Sequence, residues 1–222
     1  MSTTDKWVTF DCFGTLVDWH AGFARLLEPL AGPRTAALIA AYHPHERALE
    51  HERPHRSYRE VLTEGVRRAA HEIGLAVDER DVAAWPERWG TQPVFPDVEP
   101  ALAALRAAGW KLAVLTNCDL DLFAQTERGF RQKFDLVVTA EQVKDYKPAL
   151  AHFRYFSRVS GVDHDRWVHA ACSWYHDITP TRELGIRRIW VDRDRTGDDE
   201  SAATLRIENA AQLPAAVESF GI

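Results

Sequence analysis

The sequence has few cysteines, no excess of positive charge and no long apolar run, and each absence argues against a class of protein. Its three cysteines are an odd, small number, which fits a reduced cytoplasmic protein better than a disulfide framework. The net charge is −6 and no block of basic residues is present, so the sequence shows no basic surface of the kind that binds nucleic acid. No stretch approaches the roughly 18 apolar residues of a membrane span, and the first residues lack a signal-peptide pattern. We therefore expect a cytoplasmic protein with neither a membrane nor a nucleic-acid partner.

The spacing of apolar residues predicts one strand near the start of the chain, then a long helical region, and after it strands that alternate with helices. Residues 8–10 read as a short buried strand, whereas residues 19–92 show helical spacing without a strand signal. Within that region, helices are predicted over 19–30, 34–52, 57–73 and 78–89, with Pro44 interrupting or bending the second. Further strands are predicted over 110–116, 136–139, 167–171 and 189–191, separated by helices that include one over 177–184.

Strands that alternate with helices predict an α/β protein with a parallel sheet covered on both faces. The predicted division is a discontinuous, Rossmann-like core of residues 1–18 and 93–222 with an inserted all-helical cap domain of residues 19–92. Because the insertion leaves directly after the first strand, we expect the cap to lie over the carboxyl ends of the strands.

Polar side chains follow several of the predicted strands. They are Asp11 and Thr15, then Thr116 and Asn117, then Lys147, and finally Ser173 and Asp177. Ligands of open parallel sheets bind beyond the carboxyl ends of the strands, so these side chains should meet in one crevice. Singly, each could be a helix cap or a solvated charge. Together they suit nucleophilic chemistry, in which Lys147 favours the ionised form of Asp11.

Four motifs carry these residues in a fixed order: DCFGTLVD, VLTN, DYKP and CSWYHD. With them the chain resembles the haloacid dehalogenase superfamily, with a helical cap between the first and second motifs. The resemblance implies a hydrolase in which Asp11 is the nucleophile. It assigns the remaining catalytic positions to Thr15, Thr116, Asn117, Lys147 and Asp177.

The first motif also distinguishes branches of this superfamily. Its phosphatases carry a second Asp two residues after the nucleophile, where this chain has Phe13, and the fourth motif here offers a poor cage for Mg²⁺. The chain is therefore more similar to type II 2-haloacid dehalogenases, in which the Asp attacks C2 of a small carboxylic acid and water hydrolyses the aspartyl ester. No metal or cofactor is expected. The alternatives are a phosphatase with a degraded Mg²⁺ site and a non-catalytic scaffold of this fold.

The substrate-facing positions depart from that branch. The Arg that such enzymes carry before a QLEY-like segment falls at His45, ahead of ALEH, and the expected Tyr and Asn are Phe153 and Trp174. These residues and Ser173 are predicted to contact the substrate. Without an Arg clamp for its carboxylate, 2-chloropropionate should be a poor substrate. The resemblance also covers enzymes that open strained C–N rings of small amino acids, so the sequence does not fix the leaving group. A homodimer is possible, and the sequence does not decide the oligomeric state.

The three cysteines each lie beside a motif residue. Packing of small buried residues is the simpler explanation for Cys12, Cys118 and Cys172. The functional alternative is a reactive thiol, for which Cys118 is the best candidate because it lies near a helix N-terminus and near Lys147.

Overall fold

A parallel sheet forms the centre of the protein. The computed structural model describes residues 5–222, so the first four residues of the predicted core segment 1–18 lie outside the described residues. Six strands form the sheet in this described part of the chain, in the order β3-β2-β1-β4-β5-β6, and every pairing is parallel. The strands are β1 (Trp7–Phe10), β2 (Lys111–Thr116), β3 (Leu136–Thr139), β4 (Trp167–Ala171), β5 (Arg187–Val191) and β6 (Leu205–Ile207). The predicted parallel α/β fold is confirmed.

Strand β6 was not predicted. It contains only three residues, of which Leu205 is exposed, and it adds to the edge of the sheet beside β5. Such a short edge strand has no periodic apolar signal, because its pairing depends on the neighbouring strand rather than on its own side chains.

The segment between β1 and the next core helix is helical in the structure. It contains α1 (Trp19–Ala31), α2 (Thr35–His51), α3 (Tyr58–Glu72), α4 (Glu79–Ala84) and a 3₁₀ stretch over Trp85–Thr91. Side chains of Asp18, Ser57 and Asp78 accept hydrogen bonds from first-turn amides of α1, α3 and α4, which fixes where these helices begin. Pro44 neither ends nor divides α2, so the predicted interruption is wrong, and the alternative of a bend at Pro44 stays a prediction.

The start of α3 is capped from two sides. Ser57 and Glu60 form a capping box, in which the Ser57 hydroxyl accepts from the Glu60 amide. Asp119, which follows the second motif, accepts from the amides of Tyr58 and Arg59 at 2.8 and 2.9 Å. A carboxylate at the end of the sheet therefore satisfies two helix amides that the capping box does not reach.

The remaining helices are α5 (Val98–Ala107), α6 (Leu120–Glu127), α7 (Ala140–Val143), α8 (Ala151–Ser160) and α9 (Leu213–Glu218). The predicted helix over 177–184 is wrong in start and type. A π-helical turn over Trp174–Ile178 is followed by a 3₁₀ turn over Pro180–Leu184, so Asp177 lies inside the first turn. Within residues 5–222, no helix is both long and apolar enough to cross a membrane.

The two faces of β1 pack differently. Val8 and Phe10 belong to the large apolar cluster that also includes residues of α1, α2 and α3. Trp7 belongs to a second cluster, in which Phe153 and Phe156 of α8 pack against Trp167. Since successive side chains of a strand point to opposite faces, both faces of the sheet are covered with apolar residues.

Candidate active site

The ends of β1, β2 and β4 bring the predicted polar residues together. Strand β1 lies between β2 and β4, with Phe10 in register with Val114 and Ala170. Asp11 directly follows β1, and Thr116 is the last residue of β2. The adjacency of these three strands places their carboxyl ends at one edge, as the sequence predicted.

Lys147 is the centre of the site. Its Nζ lies 2.8 Å from Oδ1 of Asp11, 2.8 Å from Oδ1 of Asp177 and 2.9 Å from the carbonyl oxygen of Leu115. An ammonium group has three hydrogens, so all of its donors are used. Burial disfavours the charge, but the two carboxylates raise the pKa of Lys147 above its usual value. Lys147 and His169 together hold the pKa of Asp177 below its usual range, against the effect of burial.

The second oxygen of the Asp11 carboxylate is held by Thr15. The Thr15 hydroxyl donates to Oδ2 at 2.7 Å and accepts from the Cys172 amide at 2.8 Å. The turn that allows this contact requires Gly14, whose φ is +88° and where a Cβ would lie only 2.8 Å from Sγ of Cys172. Each oxygen of Asp11 therefore has one fixed donor.

Asn117 acts on the backbone of Lys147 rather than on its amine. Its side-chain oxygen accepts from the Lys147 amide at 2.7 Å, and its side-chain nitrogen donates to the Lys147 carbonyl at 3.0 Å. This paired contact fixes the segment that carries the amine. The hydroxyl of Thr116 lines the cavity described below, and its buried oxygen has no hydrogen-bond partner among residues 5–222.

His169, which was not predicted as a site residue, connects Asp177 to Thr9 inside the sheet. Nε1 of Trp167 donates to the Thr9 hydroxyl at 2.8 Å, and that hydroxyl lies 2.9 Å from Nδ1 of His169. Because the indole can only donate and the Val168 carbonyl is farther away at 3.5 Å, Thr9 passes its hydrogen to Nδ1. Nε2 of His169 then carries the ring hydrogen and donates to Oδ1 of Asp177 at 3.0 Å. The signal was a lone histidine in the apolar strand WVHAA.

A cavity of about 490 Å³ opens above these residues. Asp11, Lys147 and Asp177 line it from the side of the sheet, and Ser173 and Trp174, which are predicted to contact the substrate, also line it. The helical segment lines the facing side with residues of α1, α2 and α3, namely Trp19, His20, His43, Glu46, Arg47, Glu50 and Tyr58.

The structure places two predicted substrate contacts elsewhere. His45 does not line this cavity; its Nε2 lies 2.8 Å from the carboxylate of Glu72. Phe153 is fully buried under the sheet, with its ring 5.0 Å from that of His169. The expected substrate contacts of both residues are therefore corrected.

Helix α2 places Arg47, which was not predicted as a substrate contact, in the lining of the cavity. The residues of α2 that line the cavity are His43, Glu46, Arg47 and Glu50, which share one face at spacings of three and four. Residue 45 lies about 200° around the helix from residue 47, given roughly 100° per residue. The position before ALEH assigned the carboxylate contact to His45, whereas the cation of α2 that lines the cavity is Arg47.

The cysteines are not activated. Burial and the nearby Asp11 raise the pKa of Cys12, and burial also raises the pKa of Cys118, whose Sγ lies 3.1 Å from the Asp119 carbonyl. Cys172 lines the cavity, but burial raises its pKa as well. Since the thiolate is the reactive form and Cys118 is fully buried, the structure favours packing over the reactive-thiol alternative.

A parallel α/β sheet with a buried carboxylate–amine–carboxylate set at its strand ends is the framework of an enzyme rather than of a structural module. The sequence model of the haloacid dehalogenase-like hydrolase family matches residues 6–169 of the chain. The chain belongs to this family and is a hydrolase of the haloacid dehalogenase type.

Individual relatives agree with this membership. The (S)-2-haloacid dehalogenase of Pseudomonas sp. strain YL is 25% identical over 224 residues, which cover 97% of this chain and 94% of the relative. Phosphoserine phosphatase of Thermus thermophilus is 33% identical over 126 residues, covering 54% of this chain and 50% of the relative. A solved L-2-haloacid dehalogenase from Xanthobacter autotrophicus, with chloropropionic acid covalently bound, superimposes with a TM-score of 0.83 at 18% identity, covering 97% and 99% of the two chains.

Proposed function

We propose that the protein displaces a leaving group from a small carboxylic acid by attack of Asp11, and that water then hydrolyses the resulting ester. The observation that carries this proposal is the fixation of Asp11. Lys147 and Thr15 hold one oxygen each while the side chain lines the cavity. A carboxylate that is held still beside a cation is ready for in-line attack.

The first step forms a bond between an Asp11 oxygen and C2 of the substrate, and the bond from C2 to the leaving group breaks. A halide leaves with the electron pair and needs no proton. The residue at position 13 agrees with such a leaving group, because an enzyme that releases an alcohol needs an acid there to protonate it and this chain has Phe13. The Phe13 ring packs against Trp89, with ring centroids 5.0 Å apart. Arg47 is the cavity-lining cation that suits the substrate carboxylate, since its guanidinium has no ion-pair partner among residues 5–222.

The second step consumes water. Oδ1 of Asp177 is occupied by Lys147 and His169, whereas its buried Oδ2 has no partner among residues 5–222. We assign Oδ2 to the hydrolytic water. Attack of this water on the ester carbonyl of Asp11 releases the hydroxy acid with the original Asp11 oxygen and leaves a water oxygen in the regenerated carboxylate. The covalent chloropropionic acid in the Xanthobacter relative supports a covalent route.

The phosphatase alternative suits the site less well. A Mg²⁺ ion that served a phosphatase reaction at this site would need oxygen ligands from Asp11 and Asp177. Nζ of Lys147, however, donates hydrogen bonds to both carboxylates. Phe13 adds no oxygen, and no group of three His, Cys, Asp or Glu side chains within residues 5–222 is arranged to hold a metal. These residues do not fit the ion.

Isotope labelling tests the proposal. A single turnover in H₂¹⁸O with excess enzyme should place ¹⁸O in the peptide that contains Asp11, measured by mass spectrometry. Asp11→Asn should be folded and inactive, because an amide is a far weaker nucleophile. Label found only in the product would show direct attack by water. Parallel assays with 2-chloropropionate and p-nitrophenyl phosphate, with EDTA or Mg²⁺, separate the dehalogenase from the phosphatase.

A further inference from the structure

His169 is a buried polar residue within the apolar strand β4. Its side chain and that of Asp177 are fully buried, and the ring of Phe153 packs against the imidazole with ring centroids 5.0 Å apart. Burying an imidazole costs free energy unless its nitrogen atoms are hydrogen-bonded, and here Nδ1 bonds to Thr9 and Nε2 to Asp177. An aliphatic side chain would fill this place without such partners, so the contact with Asp177 is what the histidine adds to the strand.

Two donors meet at the same oxygen of Asp177. Nζ of Lys147 lies 2.8 Å from Oδ1 and Nε2 of His169 lies 3.0 Å from it, whereas Oδ2 is buried without a partner among residues 5–222. An amine at the end of a flexible side chain can bond to either oxygen of a carboxylate. An imidazole held within the sheet bonds from one fixed direction, and partners of this kind keep a functional group in one orientation. His169 therefore determines that Oδ2 is the oxygen left for a water.

The tautomer of His169 is set from inside the sheet. The Trp167 indole donates to the Thr9 hydroxyl, which in turn donates to Nδ1, so the ring hydrogen lies on Nε2. Neither Trp167 nor Thr9 lines the cavity. The direction of the bond to Asp177 is thus fixed by residues outside the cavity.

We propose that His169 is a positioning residue for the second step of the reaction, in which it holds Asp177 so that Oδ2 orients the hydrolytic water. This inference rests on the proposed function, because it assigns the residue to one of the two proposed steps. The water oxygen bonds to the carbonyl carbon of the Asp11 ester while Oδ2 of Asp177 accepts a water proton. The bond from that carbon to the substrate oxygen then breaks, this oxygen receives the proton back from Asp177, and the Asp11 carboxyl group releases its own proton to solvent.

The attack by Asp11 does not depend on His169, since Lys147 and Thr15 hold the nucleophile. Replacing His169 by Phe should therefore slow ester hydrolysis and spare ester formation. Because kcat/KM reports the steps up to ester formation whereas kcat includes hydrolysis, kcat and KM should fall together by about tenfold or more at unchanged kcat/KM. (S)-2-Chloropropionate and (S)-2-bromopropionate form the same ester, so their kcat values should become equal in the variant. Mass spectrometry of the acid-quenched protein should detect that ester.

Further variants separate positioning from packing. His169→Gln keeps an N–H donor near the place of Nε2 and should retain most of the wild-type kcat. Thr9→Val removes the hydroxyl that sets the tautomer and should also lower kcat and KM together, whereas Thr9→Ser should not. The matched control is His152→Phe, which removes another fully buried histidine, one whose Nε2 contacts the Thr116 carbonyl, and which should not accumulate ester. Circular dichroism checks that each variant is folded.

Three outcomes would overturn the inference: a fall of kcat/KM as large as that of kcat, kcat values that stay different for the two substrates, or no detectable ester in His169→Phe. The imidazole ¹⁵N spectrum needs no substrate, and an Nδ1–H tautomer in the wild-type protein would also reject it. The ¹⁸O experiment on Asp11 is read separately. Absence of label from Asp11, or no turnover of either acid, would reject the proposed reaction and this inference with it. Label in Asp11 without ester accumulation in the variant would reject only the role of His169.

Discussion

Replacing His169 by Phe is the sharpest test of the buried network, because it removes one defined charge-assisted bond. Nε2 of His169 donates to Oδ1 of Asp177 at 3.0 Å, and both residues are fully buried. Hydrogen bonds to charged groups contribute about 1.5–3 kcal/mol. The variant also removes the acceptor of the Thr9 hydroxyl. We therefore expect the free energy of unfolding to fall by about 2–3 kcal/mol, with the melting temperature about 4–12 °C lower for a chain of this size.

The control for this experiment is His152→Phe. His152 is also fully buried, but its Nε2 contacts the neutral carbonyl of Thr116 at 3.1 Å and its Nδ1 has no partner within the described residues 5–222. A neutral hydrogen bond contributes only about 0.5–1.5 kcal/mol, so the control should lose less stability. Urea denaturation with matched m-values measures both losses. Equal losses, or a loss below about 0.5 kcal/mol for His169→Phe, would refute the assigned bond.

Three further predictions concern separate parts of the molecule. Arg47→Met should raise the KM for 2-haloacids about tenfold or more through loss of the carboxylate contact, whereas His45→Gln should not change it; steady-state kinetics decide. Burial lowers the pKa of His152 to about 3, so this ring is neutral when folded but binds a proton near pH 6.5 when unfolded. Its contribution to stability should fall by about 1.4 kcal/mol per pH unit below 6.5, and urea denaturation at pH 7 and 5 should show a flatter dependence in His152→Gln. Iodoacetamide near pH 7.5 should leave the native activity intact, because Cys12 and Cys118 are buried and burial raises the pKa of Cys172, which keeps this cavity-lining thiol protonated; thiol counting should detect Cys12 and Cys118 only after unfolding.

The residues at the strand ends could be predicted from the sequence for a simple geometric reason. Parallel strands have their carboxyl ends at one edge, so polar residues after adjacent strands must meet. Asp11 and Asp177 needed only that rule and the apolar strands before them. Their residue types marked them as candidate site residues, because acids, amides and hydroxyls stand out directly after apolar strands.

The facing side of the cavity could not be predicted in the same way. Which residues of α2 face the site depends on the helical register. His45 was selected by its position before ALEH, and in the structure it is Arg47 that lines the cavity. His169 was missed for a different reason, since a polar residue within an apolar strand reveals a partner only when the neighbouring strand is known. Asp194 and Asp198 were also not predicted as cavity residues. They lie in a loop without periodicity, and only the tertiary structure brings them to the cavity.

The double capping of α3 limits how the helical segment can be exchanged between relatives. Ser57 and Glu60 travel with the segment, but Asp119 belongs to the loop after β2 and supplies the bonds for the amides of Tyr58 and Arg59. A chimera that carries this segment on another member's sheet would leave both amides without their carboxylate unless that sheet has an acid in the same place. Since a cap contributes about 0.5–2 kcal/mol, such a chimera should lose about that much stability even where every apolar contact is kept.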